Sequence, residues 1–145
     1  MKTIKKSILI RASKDKLWDV LTLDHYTKDW YAMFSPGSHA VTDWKPGSKA
    51  LFIDQSNSGM AAKITESVPG NSLVLEYTGI VMDGKEDLDS AEARKYKGGQ
   101  ETYRLTEENG ATRLDISSDM DEAMFDMMSD KWEKAFERLK ELAEK

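Results

Sequence analysis

Residues 121–145 read DEAMFDMMSDKWEKAFERLKELAEK, and this stretch decides the fold because it predicts one long amphipathic helix. Its apolar side chains recur at spacings of three and four residues, which is the period of a helix with one buried face. The predicted face carries Met124, Met128, Trp132, Ala135, Phe136, Leu139 and Leu142. At about 1.5 Å per residue, a helix of this length crosses a whole small domain.

The two halves of the predicted helix carry different side chains on the apolar face. Met and Trp occupy the first half, whereas Ala, Phe and Leu occupy the second half. Methionine is unbranched and fills irregular space, while leucine and phenylalanine pack densely. A helix that closes a cavity with its first half would show this difference, with Met124, Met128 and Trp132 facing a sheet across that cavity. An ordinary core helix that contains several methionines is equally consistent with it.

Short alternating runs separated by turn residues precede this helix and predict β-strands. The candidate strands cover residues 3–11, 39–44, 48–54, 60–68, 72–82, 101–106 and 111–118. Most successive runs are joined by only a few turn residues, such as Pro69-Gly70-Asn71, so the sheet is predicted to be antiparallel.

Helical stretches interrupt the strands in two places. Residues 13–22, with Ser13 as the N-cap, and the aromatic residues 24–31 predict two short helices after the first strand. Residues 84–99 are predicted to form a solvated excursion, too polar for a strand, with a short helix at 90–96.

This order of elements predicts an α+β fold in which an antiparallel sheet of about six to seven strands wraps around the long C-terminal helix. The length of 145 residues fits a single domain that spans residues 1–145. Sheet and helix then enclose one interior, and a ligand cavity would lie there.

Composition argues against several classes of function. The net charge is −5 with acidic and basic residues interspersed, so no basic stripe predicts binding to nucleic acid. The chain has no cysteine, which removes thiolate catalysis and thiolate metal sites and is consistent with a reducing compartment. No stretch approaches a membrane span and no signal-peptide core is present. We therefore expect a cytoplasmic protein.

Motifs for cofactor or metal chemistry are not found. His25 and His39 are the only histidines, and His25 with Asp29 offers two ligands where a metal site needs three or four. No serine lies in a nucleophile elbow, and no glycine-rich loop opens a helix after a strand. We expect no metal and no cofactor.

The two-residue period of a strand identifies the side chains that face the interior. On this basis Met60, Tyr77, Glu101 and Tyr103 point inward. Aromatic residues either line a pocket or fill a core, and for Trp30, Tyr31, Trp44, Tyr77, Tyr103 and Trp132 both interpretations carry equal weight. The predicted ligand-binding residues are Trp30, Tyr31, Met60, Tyr77, Glu101, Tyr103, Met124, Met128 and Trp132.

Two of these predictions, the orientation of Glu101 and the position of the second helix, can be checked directly against a structure. Burying the Glu101 carboxylate costs free energy unless it is paired or hydrogen-bonded. It should therefore reach Tyr77, Tyr103 or a lysine, or lie at the solvent-exposed edge of the pocket. The alternative is a bulge after Gly98-Gly99 that turns the side chain to solvent. The aromatic second helix, with Trp30 and Tyr31 near its end, is expected to form the cavity mouth.

Four segments resemble a known family. They are NSGM at 57–60, TGIVMDG at 78–84, the acidic pair at 86–87 and KGGQETY at 97–103. They resemble bacterial proteins of the activator-of-heat-shock-protein-90-ATPase-like family. The order of elements looks like the helix-grip fold of the START-like, or SRPBCC, superfamily, which includes birch-pollen-allergen-like proteins and polyketide cyclases.

The resemblance implies a hydrophobic cavity between the sheet and the C-terminal helix. Our leading hypothesis is a non-enzymatic protein that holds a small apolar or amphipathic molecule there. A cyclase- or hydratase-like enzyme would use the same cavity, and an inward pair of titratable groups with displaced pKa values would favour it. A third hypothesis is a chaperone regulator that acts through its surface.

Overall fold

The computed structural model describes all residues from 1 to 145, and its main feature is an antiparallel sheet of eight strands. The strands are β1 Lys2–Ile10, β2 His39–Val41, β3 Lys49–Ile53, β4 Gly59–Val68, β5 Ser72–Met82, β6 Lys85–Asp87, β7 Gln100–Glu108 and β8 Ala111–Met120. They pair in the order β1-β8-β7-β5-β4-β3-β2, with β6 added to β5. The expected α+β fold with an antiparallel sheet is confirmed.

The helices lie where the sequence predicts them. They are α1 Lys14–Thr22, α2 Asp24–Trp30, α3 Ala91–Arg94 and α4 Phe125–Glu144, with 3₁₀ turns at Tyr31–Met33 and Glu122–Met124. The Ser13 hydroxyl accepts a hydrogen bond from the Lys16 amide at 3.1 Å, so Ser13 caps α1 as expected. None of the helices has the length and apolar character needed to cross a membrane.

Strand β6 corrects the prediction that residues 84–99 are too polar for a strand. Asp83 and Gly84 have φ values of 51° and 80°, which form the tight turn that joins β5 to β6. Two successive residues with positive φ are typical of the type I′ hairpin, for which Asp-Gly is a preferred sequence. The turn returns the chain onto β5, and backbone pairing stabilises β6 although its side chains are charged.

The core lies between the sheet and α4, where 24 buried side chains form one continuous cluster. Leu139 and Ala135 of α4 are fully buried in it, together with Ile10 of β1 and Leu17 of α1. This placement follows from the amphipathic period of α4, because one stripe of the helix must be covered by other elements. The core therefore fills the space next to the second half of α4.

Polar contacts hold α2 and the following 3₁₀ turn against α4. The Arg138 guanidinium donates to both carboxylate oxygens of Asp29, with Nε to Oδ1 at 2.6 Å and Nη2 to Oδ2 at 2.8 Å. The Lys131 ammonium donates to the backbone carbonyl of Phe34 at 2.7 Å. Two charged side chains of α4 thus position the segment that forms one side of the candidate site.

Candidate functional site

A cavity of about 320 Å³ lies between the sheet, the 3₁₀ turn after α2 and the first half of α4. Aromatic rings and methionines dominate its wall. The aromatic lining residues are Trp30, Tyr31, Phe34, Phe52, Tyr77, Tyr96, Tyr103 and Trp132, and the methionines are Met60, Met120, Met124 and Met128. The backbone also contributes: at Gly59 a Cβ atom would lie 1.9 Å from the Phe52 carbonyl oxygen, so only glycine fits between β3 and β4.

All nine residues predicted to bind a ligand lie in the wall of this cavity. Tyr77 comes from β5, Glu101 and Tyr103 from β7, and Met128 and Trp132 from α4. The sequence thus identified a set of residues that the fold brings together. Their role as ligand-binding residues stays a prediction.

A polar cluster interrupts the apolar wall at Glu101. Its Oε1 atom accepts hydrogen bonds from the Tyr77 hydroxyl at 3.0 Å and from the Ser118 hydroxyl at 3.3 Å. Its Oε2 atom accepts a hydrogen bond from the Tyr103 hydroxyl at 2.9 Å. The carboxylate therefore points inward and finds both expected tyrosine partners. Regular pairing of Glu101 with Leu75 and Ser118 leaves no bulge at this position.

Ser118 is the member of this cluster that we did not predict. It lies on β8 two residues after Ile116, which is buried in the core. The strand period therefore contained the signal, because alternate residues of a strand share one face. A serine side chain is polar and needs a partner in the interior, and the inward Glu101 carboxylate supplies it.

Burial raises the pKa of the Glu101 carboxyl, although the three hydroxyl donors act in the opposite direction. Burial also raises the pKa of Tyr77 and Tyr103 well above the usual value, and the nearby Glu101 charge raises each further. Both phenols therefore stay protonated and remain donors at neutral pH. The cluster consists of a carboxyl group with increased proton affinity that is held by neutral hydroxyl groups.

The prediction that Trp30 and Tyr31 form the mouth of the cavity is wrong. Trp30 and Tyr31 are only 1% and 9% exposed, so they lie in the inner wall and not at the opening. The Trp30 indole N–H donates to the Val20 carbonyl of α1 at 2.8 Å, which satisfies the ring in the interior. Partly buried lining residues, including Phe34, Met60 and Met128, lie closer to solvent instead.

Trp44 does not line the cavity, unlike the other five residues of the predicted aromatic set. Its ring lies 6.1 Å from that of Phe52, and its φ of 61° places the backbone in the left-handed region. For Trp44 the structure therefore supports a packing role, in which the ring covers β3.

Trp132 connects the cavity wall to the core. Its ring lies 4.9 Å from Phe34, 5.8 Å from Phe136 and 6.2 Å from Tyr103, measured between centroids. Its indole N–H is buried and has no hydrogen-bond partner. Packing against other rings, and not a polar contact, therefore holds Trp132 in place.

Two further carboxylates line the cavity, and the sequence did not identify either. Asp54 accepts hydrogen bonds from the Ser35 hydroxyl at 3.0 Å and from the Ser56 amide at 2.8 Å. The Ser56 hydroxyl contributes most to lowering the pKa of Asp54 to about 2. Asp119 accepts a hydrogen bond from the Gln100 amide at 2.9 Å.

The two histidines do not converge on a common site. His39 lies in the cavity lining with its Nδ1 atom 3.0 Å from the Gly37 carbonyl oxygen, whereas His25 is exposed and lies against Tyr26. No group of three or more His, Asp or Glu side chains is arranged to hold a metal ion.

Comparison with known families identifies the chain. Residues 11–144 match the sequence profile of the family described as Activator of Hsp90 ATPase homolog 1-like protein. The chain belongs to this family. The match confirms the resemblance that the four sequence segments indicated. None of the curated proteins matches the chain by sequence.

Solved structures share the fold over nearly the whole chain. The Aha1 dimer from Colwellia psychrerythraea matches with a TM-score of 0.76 at 18% identity, covering 99% of this chain and 97% of that one. A Mesorhizobium loti protein matches with a TM-score of 0.75 at 16% identity, covering 97% and 96%. CalU16 from Micromonospora echinospora matches with a TM-score of 0.68 at 20% identity, covering 97% and 75%. These similarities establish the helix-grip fold.

Proposed function

We propose that this protein binds a small apolar or amphipathic molecule in the cavity between the sheet and α4. The observation that carries the proposal is the composition of the wall, which is aromatic and methionine-rich with one polar cluster around Glu101. Ligand sites typically have volumes of roughly 300–1,000 Å³ and an apolar lining with a few well-placed polar groups. The cavity of about 320 Å³ lies at the small end of that range.

Family membership supports the same proposal, because proteins of this fold commonly bind hydrophobic ligands. Met60, Met124 and Met128 would contact the apolar body of the ligand, since flexible thioethers adapt to different shapes. Glu101 would orient a polar group of the ligand, because a carboxylate has acceptor sites beyond those used by its three donors. The proposal includes a cytoplasmic location, on the compositional grounds given above.

Native mass spectrometry of the protein purified from its own host tests whether a molecule co-purifies. The matched variants are Met128→Trp, which fills the cavity from α4, and Met127→Trp, which places the same ring on an exposed neighbour. We expect a bound mass in the wild type and in Met127→Trp, and its loss in Met128→Trp. Equal occupancy in the two variants, or a wild type that binds nothing, would contradict the proposal.

A second candidate is an enzyme that uses the same cavity for acid–base chemistry. The observation in its favour is that Glu101, Tyr77 and Tyr103 all have raised pKa values and all face the cavity. Glu101 would act as the general base, and a tyrosine would donate to an oxygen that gains charge. Incubation of a co-purified molecule with fresh enzyme tests this role. Turnover that Glu101→Gln abolishes, while binding persists, would establish the enzyme.

The family description supports a third candidate, stimulation of a chaperone ATPase. Such an activity would act through the surface and would not need the cavity. The test is ATP turnover by the cognate chaperone with and without this protein. Stimulation that persists in Met128→Trp would assign the activity to the surface.

A further inference from the structure

We propose that the cavity selects an apolar amine, a compact hydrophobic molecule carrying a protonated nitrogen that binds at Glu101, over an apolar carboxylic acid. This inference rests on the proposed ligand-binding function and adds the chemical class of the ligand. It follows from the charges and rings that surround the polar cluster.

The first observation is that Glu101 has no cationic partner. Its three hydrogen-bond donors are the hydroxyl groups of Tyr77, Tyr103 and Ser118, and all of them are neutral. A carboxylate offers about four lone-pair sites, so at least one acceptor site remains after these three bonds. A carboxylate that is partly buried and has no counter-charge is costly, and a ligand ammonium group would supply that charge.

The second observation is the charge of the whole wall. Its 22 lining residues include three carboxylates, Asp54, Glu101 and Asp119, one histidine, His39, and neither lysine nor arginine. The nearby Lys131 is held by the carbonyl of Phe34 and is not part of the lining. The acidic side chains give the lining a net negative charge, so a ligand carboxylate would meet an unfavourable potential.

The third observation is the aromatic wall next to Glu101. Tyr77 and Tyr103 contact the carboxylate, and the Trp132 ring lies 6.2 Å from the Tyr103 ring. Each tyrosine directs its hydroxyl group at the carboxylate, so the rings around the cluster offer apolar surface to the body of a ligand whose polar group binds Glu101. An ammonium group at Glu101 would therefore gain a charge-assisted hydrogen bond while its apolar body packs on the rings, whereas an alcohol would gain only a hydrogen bond from a neutral donor.

Three probes that share a naphthalene ring and differ in their polar group separate ligand binding from charge selection. They are 1-naphthylmethylamine, 1-naphthalenemethanol and 1-naphthylacetic acid, titrated into the wild-type protein at pH 8 by calorimetry. We expect the alcohol to bind, the amine to bind at least about tenfold tighter, and the acid at least about tenfold weaker. We expect a tenfold difference in affinity because a hydrogen bond between charged groups contributes more binding free energy than one between neutral groups.

Variants locate the preference at Glu101. In Glu101→Gln the amine should lose its advantage, so that amine and alcohol bind within about twofold of each other while the alcohol changes little. The control is Glu107→Gln, which removes the same charge from an exposed position on the same strand. The control should keep the full preference, because an exposed distant charge is screened by salt.

The outcomes distinguish this inference from the function on which it rests. If the alcohol binds and the amine binds no tighter, or if the acid binds best, the charge selection is wrong and the cavity function stands. An amine preference that survives in Glu101→Gln overturns the assignment to this residue. If none of the three probes binds, the proposed function itself fails. The wild-type titrations decide between these outcomes even if a variant does not fold.

Discussion

The two halves of α4 follow one helical period but meet different surroundings. In the second half Ala135, Phe136 and Leu139 are at most 5% exposed and lie in the core. In the first half Met128, on the same face of the helix, is only partly buried and lines the cavity. The period of a helix predicts which face turns inward, whereas the side-chain type indicates whether that face meets a packed core or a cavity.

Trp132 lies at the junction between the two halves. It belongs to the cavity wall, yet its ring also contacts Phe136 of the packed half. The change from cavity to core therefore occurs within about one helical turn. Substitutions on either side of Trp132 test whether the two halves also differ in how much they contribute to the free energy of unfolding.

The largest effect is expected for Phe136→Ala in the packed half. Phe136 is 5% exposed, so truncation leaves a hole that the surrounding core fills only in part. We expect the free energy of unfolding to fall by about 3–5 kcal/mol. Denaturant unfolding followed by circular dichroism measures it. A loss below about 1 kcal/mol would mean that this half is not densely packed.

A smaller effect is expected for Asp29→Asn, which removes the bidentate pair between α2 and the packed half of α4. The side chains are about a third exposed, so we expect a loss of about 1 kcal/mol at neutral pH. The Arg138 guanidinium lowers the pKa of Asp29, so its stabilisation is present above the unfolded pKa of about 3.9 and is lost as the pH falls through the folded value.

Unfolding measurements between pH 7 and pH 2 test this dependence on Asp29. The difference between wild type and Asp29→Asn should be constant down to about pH 5 and should shrink below about pH 4. Glu141→Gln is the control, because Glu141 bonds the same Arg138 but is 62% exposed. A difference that does not change in acid would exclude the ion pair as its source.

A still smaller effect is expected for Met128→Ala in the cavity half. Its side chain already borders empty space, so truncation removes few packing contacts. We expect a loss below about 1 kcal/mol, against the roughly 2–5 kcal/mol typical of a fully buried methionine. Met127→Ala serves as the exposed reference. If Met128→Ala destabilises the protein as much as Phe136→Ala, the helix has no cavity half.

The smallest effect concerns local motion and not global stability. Amides of residues 34–38, which contribute partly buried side chains to the cavity lining, should exchange with solvent faster than those of residues 135–143. A bound ligand should slow exchange in the first segment by a few-fold and leave the second unchanged. Hydrogen exchange followed by mass spectrometry tests this. Equal protection of both segments without ligand would show that the opening is as rigid as the core.

Local patterns predicted the parts of the molecule that depend on local physics. The period of three to four predicted α4, and alternation predicted β5 and the inward position of Glu101. Asp83-Gly84 is likewise a local signal for the hairpin that leads into β6. The charged side chains that follow it are more typical of a loop, and they favoured the wrong prediction.

Contacts between distant segments were not predictable in the same way. Trp30 packs in the core and its indole N–H donates to the Val20 carbonyl on another helix, and no local pattern encodes how the two helices meet. Asp54 and Asp119 line the cavity because strands β3 and β8 end near it. Which acidic residues face the cavity depends on how the sheet closes around α4, which a single sequence does not show.

The pairing of β1 with β8 has a consequence for folding during synthesis of the protein. Thr3 bonds to Asp119, which is 116 residues further along the chain, so β1 waits unpaired during synthesis until nearly all later strands exist. In that interval β1 is an exposed strand with isoleucines at positions 4, 8 and 10, and unpaired strands of this kind are prone to aggregate with other chains. The lysines at positions 2, 5 and 6 add positive charge to the waiting strand and would keep nascent copies apart.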